Sequence, residues 1–184
     1  MKIIEVTIKG VTPLLMHRFG MEGADDPGKR RTGVPDYKAE AENALYRDPE
    51  GKLYQPAEHI ERSMAEAGKS FKVAGKRGAS YARLVGSTVD VFPDTIPHKV
   101  QNWETDARPV VVQRARVIRY RPRLDEWELD FSLRLNDEQL PVGIIKEILD
   151  HAGKYTGIGD YRPQMKGKYG KFMVTKFEEV KEEN

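Results

Sequence analysis

Residues 2 to 9, KIIEVTIK, put Ile4, Val6 and Ile8 on one face and Glu5, Thr7 and Lys9 on the other, as a half-buried strand does. The clearest alternation comes later. Residues 126 to 135 set Trp127, Leu129, Phe131, Leu133 and Leu135 against Glu128, Asp130, Ser132 and Arg134. Just before them, residues 109 to 121 (PVVVQRARVIRYR) form a β-rich run that Pro122 stops, so the two runs predict a hairpin through PRLDE. A last strand is expected over residues 170 to 177, followed by an acidic tail, EEVKEEN, that frays.

Two stretches carry the helical period instead. After Pro56, residues Ile60, Met64 and Ala67 share a face and Gly68 ends the run; after Pro141, Ile145, Ile148, Leu149 and Ala152 do the same up to Gly153. The order strand, helix, strand, strand, helix, strand predicts an α+β domain of ferredoxin-like (RRM-like) form, an antiparallel sheet backed by two helices. We expect one domain over residues 1 to 184, with insertions at 10 to 55 and 68 to 108 around the first helix. Within the first insertion, Gly20 to Pro35 reads as a mobile loop, Asp36 as the cap of a short helix, and DPEG as a turn. Within the second, short strands are expected near 71 to 73 and 86 to 92.

Composition narrows the class. The 184 residues are 39% hydrophobic, enough for a core without staples, and contain no cysteine, which excludes disulfides and thiolate metal sites. No apolar run approaches the ~18 residues a membrane span needs, and the alternating N-terminus lacks the apolar core of a signal peptide. We therefore expect a soluble, cytoplasmic protein. The net charge of +2 conceals an asymmetry: residues 69 to 123 carry 12 basic and 4 acidic side chains, residues 151 to 177 carry 6 and 1, and the rest is acidic. A polyanion-binding face backed by an acidic one has this distribution, and so do solvated basic loops.

The stretch GIGDYRPQMKGKYGKF, residues 157 to 172, concentrates the basic charge among four glycines. Glycine lets a backbone approach a ligand closely, and its N–H can face a phosphate oxygen. Arg162, Lys166, Lys168 and Lys171 would displace counterions, and Tyr161 and Tyr169 would stack on bases. The alternative is a long connection that uses glycine only to turn. In KSFKVAGKRGASYAR, residues 69 to 83, aromatic and basic residues interleave. Lys69, Lys72, Lys76 and Arg77 would track phosphates and Tyr81 would stack, whereas Phe71 serves equally well as core. The run RARVIRYRPR places Arg114 and Arg116 on one face and Arg119, Arg121 and Arg123 on the other. Only part of it can bind, and some of it is expected to pair with Glu128 or Asp130 across the hairpin. Arg18, in TPLLMHRF, completes the candidate nucleic-acid-binding set. The four histidines share no metal-ligand spacing, no nucleophile elbow occurs, and we assign no catalytic residue, metal or cofactor.

Three places give the chain a likeness: the strand leading into TPLLMHRF and its loop, GKLYQPAEHIERSM, and the glycine-rich GIGDYRPQMKGKYGKF. Together they resemble the repeat-associated mysterious protein superfamily, and most closely the backbone subunits that line up along guide RNA in CRISPR effector complexes. The resemblance implies RNA rather than DNA as the single-stranded partner, copies stacked head to tail along it, and a place in a CRISPR-type or phage ribonucleoprotein. Related processing ribonucleases hold a general base where His17 stands, and some related backbone subunits cleave RNA with an aspartate in a loop like that of Asp25 and Asp26. The alternative readings are a structural or surface histidine and a solvated acidic loop, and neither aspartate is assigned the cleaving role. The leading expectation is a non-enzymatic binder of single-stranded nucleic acid, without a membrane. The alternatives are a metal-independent endoribonuclease and a protein–protein adaptor in a phage or defence assembly.

Overall fold

The computed structural model describes residues 1–18, 37–112, 114–137 and 140–180. In chain order the elements are β1 (Lys2–Gly10), β2 (Leu14–Leu15), α1 (Tyr37–Asn43), β3 (Tyr54–Pro56), α2 (Ala57–Ala67), α3 (Ala82–Thr88), β4 (Val89–Phe92) and β5 (Thr95–Pro97). Then follow β6 (Glu104–Val112), β7 (Ala115–Leu124), β8 (Glu128–Leu135), α4 (Val142–His151) and β9 (Phe172–Val180). Among the described residues this is a mixed α and β architecture with four α-helices and antiparallel sheets, of the α+β kind. Among the described residues, no helix is long and apolar enough to cross a membrane.

The main sheet has the order β4-β8-β1-β9, every neighbour antiparallel. The alternation in β1 and β8 puts Ile4, Val6, Ile8, Leu129, Leu133 and Leu135 on the inner face, all at most 2% exposed. Against them pack the apolar stripes of α2 (Ile60, Met64, Ala67) and α4 (Ile145, Ile148, Leu149). Burying such side chains contributes roughly 1.5–3 kcal/mol each, so these stripes fix how both helices sit on the sheet.

The expected hairpin between residues 109–121 and 126–135 is not formed. The β-rich run reverses on itself. Val112 pairs with Ala115 and Glu104 with Arg123, so β6 and β7 make a ribbon of their own, tied to the rest of the chain through Leu14↔Leu124 and Leu15↔Arg123. Arg114, at φ 68°, sits in the reversal. The strand beside β8 is instead β4, just four residues long, which buries Val89 and Val91. Residues 86 to 88, expected in a strand, belong to α3, and near 71 to 73 there is only the bridge Lys72↔Ser80. The expected frayed tail is strand as far as Val180, since Glu178, Glu179 and Val180 pair with β1. The expected loop at 20–35, with Asp25 and Asp26, lies outside the described residues.

Candidate nucleic-acid interface

A cleft of about 740 Å³ opens between α2, the start of α3 and the glycine-rich loop. Leu15, Met16 and Ile158 floor it. Arg62 and Ser63 of α2, Lys69 just beyond it, Arg83 of α3, and Asp160, Arg162 and Gln164 of the loop form its walls. His17, Tyr46, Gln55 and His59 close the remaining sides. Loop and insertion, separated by more than seventy residues of sequence, thus border one cavity.

Backbone bonds hold the loop in place. Asp160 N–H donates to the Leu15 carbonyl (2.9 Å), Ile158 N–H to Gly170 (3.0 Å), and Gly170 N–H to Pro13 (2.7 Å). Ser63 Oγ, buried on α2, donates to the Gly157 carbonyl (2.9 Å) and fixes the loop's origin against the helix. Gly159, at φ +75°, lies so close to β2 that a Cβ there would stand 2.5 Å from the Leu15 carbonyl oxygen. Three of the loop's four glycine N–H groups are thereby taken up within the fold and do not face a phosphate. The N–H of Gly157 is bound to Ala152, that of Gly167 to Arg162 and that of Gly170 to Pro13.

The cations of the cleft differ in how far they are neutralised. Arg62 pairs with Glu58, and Lys69 with Glu66 at 2.6 Å. Arg162 is positioned by neutral groups, donating to the Gly159 carbonyl (2.9 Å) and to Gln164 Oε1 (3.0 Å). Among the described residues, neither Arg162 nor Arg83 has a carboxylate partner. Asp160 is the acid of the loop: its carboxylate stands 2.9 Å from Arg121 Nε on β7 and 3.3 Å from His17 Nδ1. The His17 ring, Arg121 and the Tyr161 N–H hold its pKa down to about 2, against the opposing effect of burial. His59 accepts from the Gln55 amide at Nδ1 (2.5 Å) and lies edge-on to Tyr46. Burial, with lesser contributions from Arg62 and Arg162, lowers its pKa and keeps the ring neutral near pH 7. Among the described residues no group of three or more His, Asp or Glu is placed to hold a metal ion.

Of the expected binding residues, Lys69 and Arg162 line the cleft. Lys166 and Lys168 are exposed farther along the loop, while Lys171 is half-buried where β9 begins. Lys72, Lys76 and Arg77 are exposed on the turn between Phe71 and Tyr81; Arg18 is exposed beyond β2; Arg114 and Arg116 are exposed near the tip of the ribbon. Tyr81 is a correction. Only 9% exposed, it belongs to the core beside Val85, so it offers no free ring to a base. Tyr169 also has a structural contact: Arg108 lies between it and Tyr161, 4.6 and 4.7 Å from the ring centres, and bonds the Tyr169 hydroxyl at 2.6 Å. The arginines of β7 do not reach Glu128 or Asp130, because β7 and β8 are not neighbours. Arg119 pairs with Glu40, Arg121 with Asp160, and Arg123 with Glu104, Asp106 and Asp125.

Arg62, Arg83, His59 and the His17–Asp160–Arg121 cluster are not marked by sequence as parts of one site. The Gln55–His59 contact joins β3 to the first turn of α2, which no helical spacing encodes. Compared with family models and with curated proteins, the chain matches none.

Proposed function

We propose that the protein binds single-stranded nucleic acid, RNA in preference to DNA, in the cleft between α2 and the glycine-rich loop. One observation carries this: four cations, Arg62, Lys69, Arg83 and Arg162, converge on a single cavity, two of them without a carboxylate partner among the described residues. Phosphates entering there would release counterions, the main source of sequence-independent affinity. Ser63, Gln55 and Gln164 add polar contacts suited to sugar and phosphate oxygens.

The sheet order β9-β1-β8-β4, with α2 and α4 as the crossovers, supports a ferredoxin-like core in which β4 takes the place expected of residues 109–121. The open face of that sheet is a poor RNA platform. Lys99 binds Glu128 and Asp130, Lys176 binds Glu5, and Arg134 covers the Phe92 ring at 4.0 Å. RRM sheets present free aromatics there. The core and the loop fit a subunit of a CRISPR-type or phage ribonucleoprotein, acting in the cytoplasm with copies stacked head to tail.

A second reading follows from His17. Its contact with Asp160, in a cleft that also holds the neutral His59, is an arrangement able to orient a general base for metal-independent cleavage of RNA. Incubating purified protein with end-labelled RNA in chelator separates the two. A binder shifts the RNA at full length and a nuclease shortens it; absence of both effects refutes both readings and leaves the adaptor role.

A further inference from the structure

The helical path does not end with α4 at His151. It continues into a π-helical turn, Ala152–Thr156, before the glycine loop begins. Such turns are rare and are found frequently at functional sites. This one is firmly seated. Ala152 and Gly153 are buried, the Gly157 N–H closes on the Ala152 carbonyl (2.7 Å), and a Cβ on Gly153 would collide with the Phe172 carbonyl oxygen.

From this seated turn Tyr155 projects with 64% of its surface exposed. Among the described side chains it is the only exposed Phe, Tyr or Trp. The ring is nevertheless held. It leans on His151, ring centres 4.6 Å apart, and His151 meets Phe71 edge-on at 5.5 Å. Phe71 is half-buried against the core, so the stack runs from the interior outward and ends on a free tyrosine face. Lys154 precedes Tyr155 in the turn, Lys72 follows Phe71, and Lys69, two residues before Phe71, lines the cleft. An exposed aromatic joined through His151 and Phe71 to the segment that carries Lys69 suits the face of an unpaired base.

We propose that Tyr155 is a base-stacking platform, receiving one nucleobase of a single strand where it leaves the cleft past Lys69. This rests on the nucleic-acid reading above and adds a contact made to a base rather than to a phosphate. The platform is indifferent to base identity, because every base has a π-face.

The test uses the full chain with fluorescent oligouridylate and an abasic ribose-phosphate oligomer of equal length. Tyr155→Ala should weaken oligouridylate binding about 5- to 150-fold, the span of one base–aromatic stack, and leave the salt slope unchanged. Tyr155→Trp should retain affinity and Tyr155→Leu should fall with alanine, since a ring rather than bulk is required. The abasic oligomer should bind wild type and Tyr155→Ala alike. Equal oligouridylate affinity in wild type and the alanine variant, or equal losses on both oligomers, overturns the platform while leaving cleft binding in place. Failure of wild-type protein to bind either oligomer overturns the nucleic-acid reading itself, and the platform with it.

Discussion

Asp160→Asn removes one charge from the junction of the glycine loop, β2 and β7 while keeping the side chain's size and an acceptor for the Tyr161 N–H, which lies 2.9 Å from Oδ1. The carboxylate's pKa falls from 3.8 to about 2 in the folded chain. At about 1.4 kcal/mol per decade, that sets a ceiling of about 2.5 kcal/mol on the charge's contribution. Solvent reaches the pair, the Asp160 side chain being 29% exposed, so screening reduces the expected loss to ~1–2 kcal/mol. A chain of this size would melt roughly 2–8 °C lower. The sign with pH is fixed: a depressed carboxylate stabilises above its unfolded pKa and loses that contribution as pH falls through the folded one. Urea unfolding of wild type and variant should therefore differ fully at pH 7, converge between about pH 4 and pH 2, and coincide below. Equal stability at pH 7 would refute the ion-pair account, and a gap that persists at pH 2 would assign the effect to packing instead.

Other regions of the fold make further claims. Burial lowers the His98 pKa to about 4, and neither ring nitrogen has a hydrogen-bond partner among the described residues. The unfolded ring takes up a proton below about pH 6.5, so wild-type stability should decline between pH 6.5 and 4 by about 3 kcal/mol. His98→Leu should flatten that decline in urea titrations; an unchanged profile contradicts the assignment. Tyr81→Ala should cost ~2–4 kcal/mol in unfolding experiments, as a core truncation does, with Tyr81→Phe close to wild type. Weakened RNA binding at unchanged stability would return Tyr81 to the binding surface. Replacing Lys166, Lys168 and Lys171 with alanine should lower the slope of log affinity against log salt by ~0.7 for each phosphate no longer neutralised. An unchanged slope removes the outer part of the loop from the path of the strand.

The sequence shows the parts of the fold whose pattern is long and periodic. Eight or more alternating positions make β1 and β8 plain, and three or four apolar residues at helical spacing do the same for α2 and α4. β4 is obscured because VDVF supplies only two inward residues, and the preceding ARLVGST mixes β-branched residues and glycine within a helix. The ribbon is hidden for a local reason. Its reversal beside Arg114 uses a positive φ without glycine, so VVVQRARVI reads as one uninterrupted strand. The arginines are misassigned with it, since their expected partners on β8 are replaced by acids from β6, α1 and the loop. At the site, the glycine loop and Lys69 are legible as basic, glycine-punctuated sequence. The meeting of His17, Arg121 and Asp160 is not, since three segments far apart in the chain supply one side chain each and no spacing encodes it. Tyr155 looks like one more tyrosine until the π-helical turn shows its ring exposed.

Titrating labelled single-stranded RNA across a range of salt concentrations, with wild type and with Lys69, Arg83 and Arg162 all changed to glutamine, tests the cleft most directly. Thermal melts of both proteins establish that the fold is intact. With three phosphates no longer neutralised, the slope of log affinity against log salt should fall by about 2, and binding should weaken most at low salt. Identical slopes and affinities in two folded proteins would contradict the assignment of this cleft as the path of the strand.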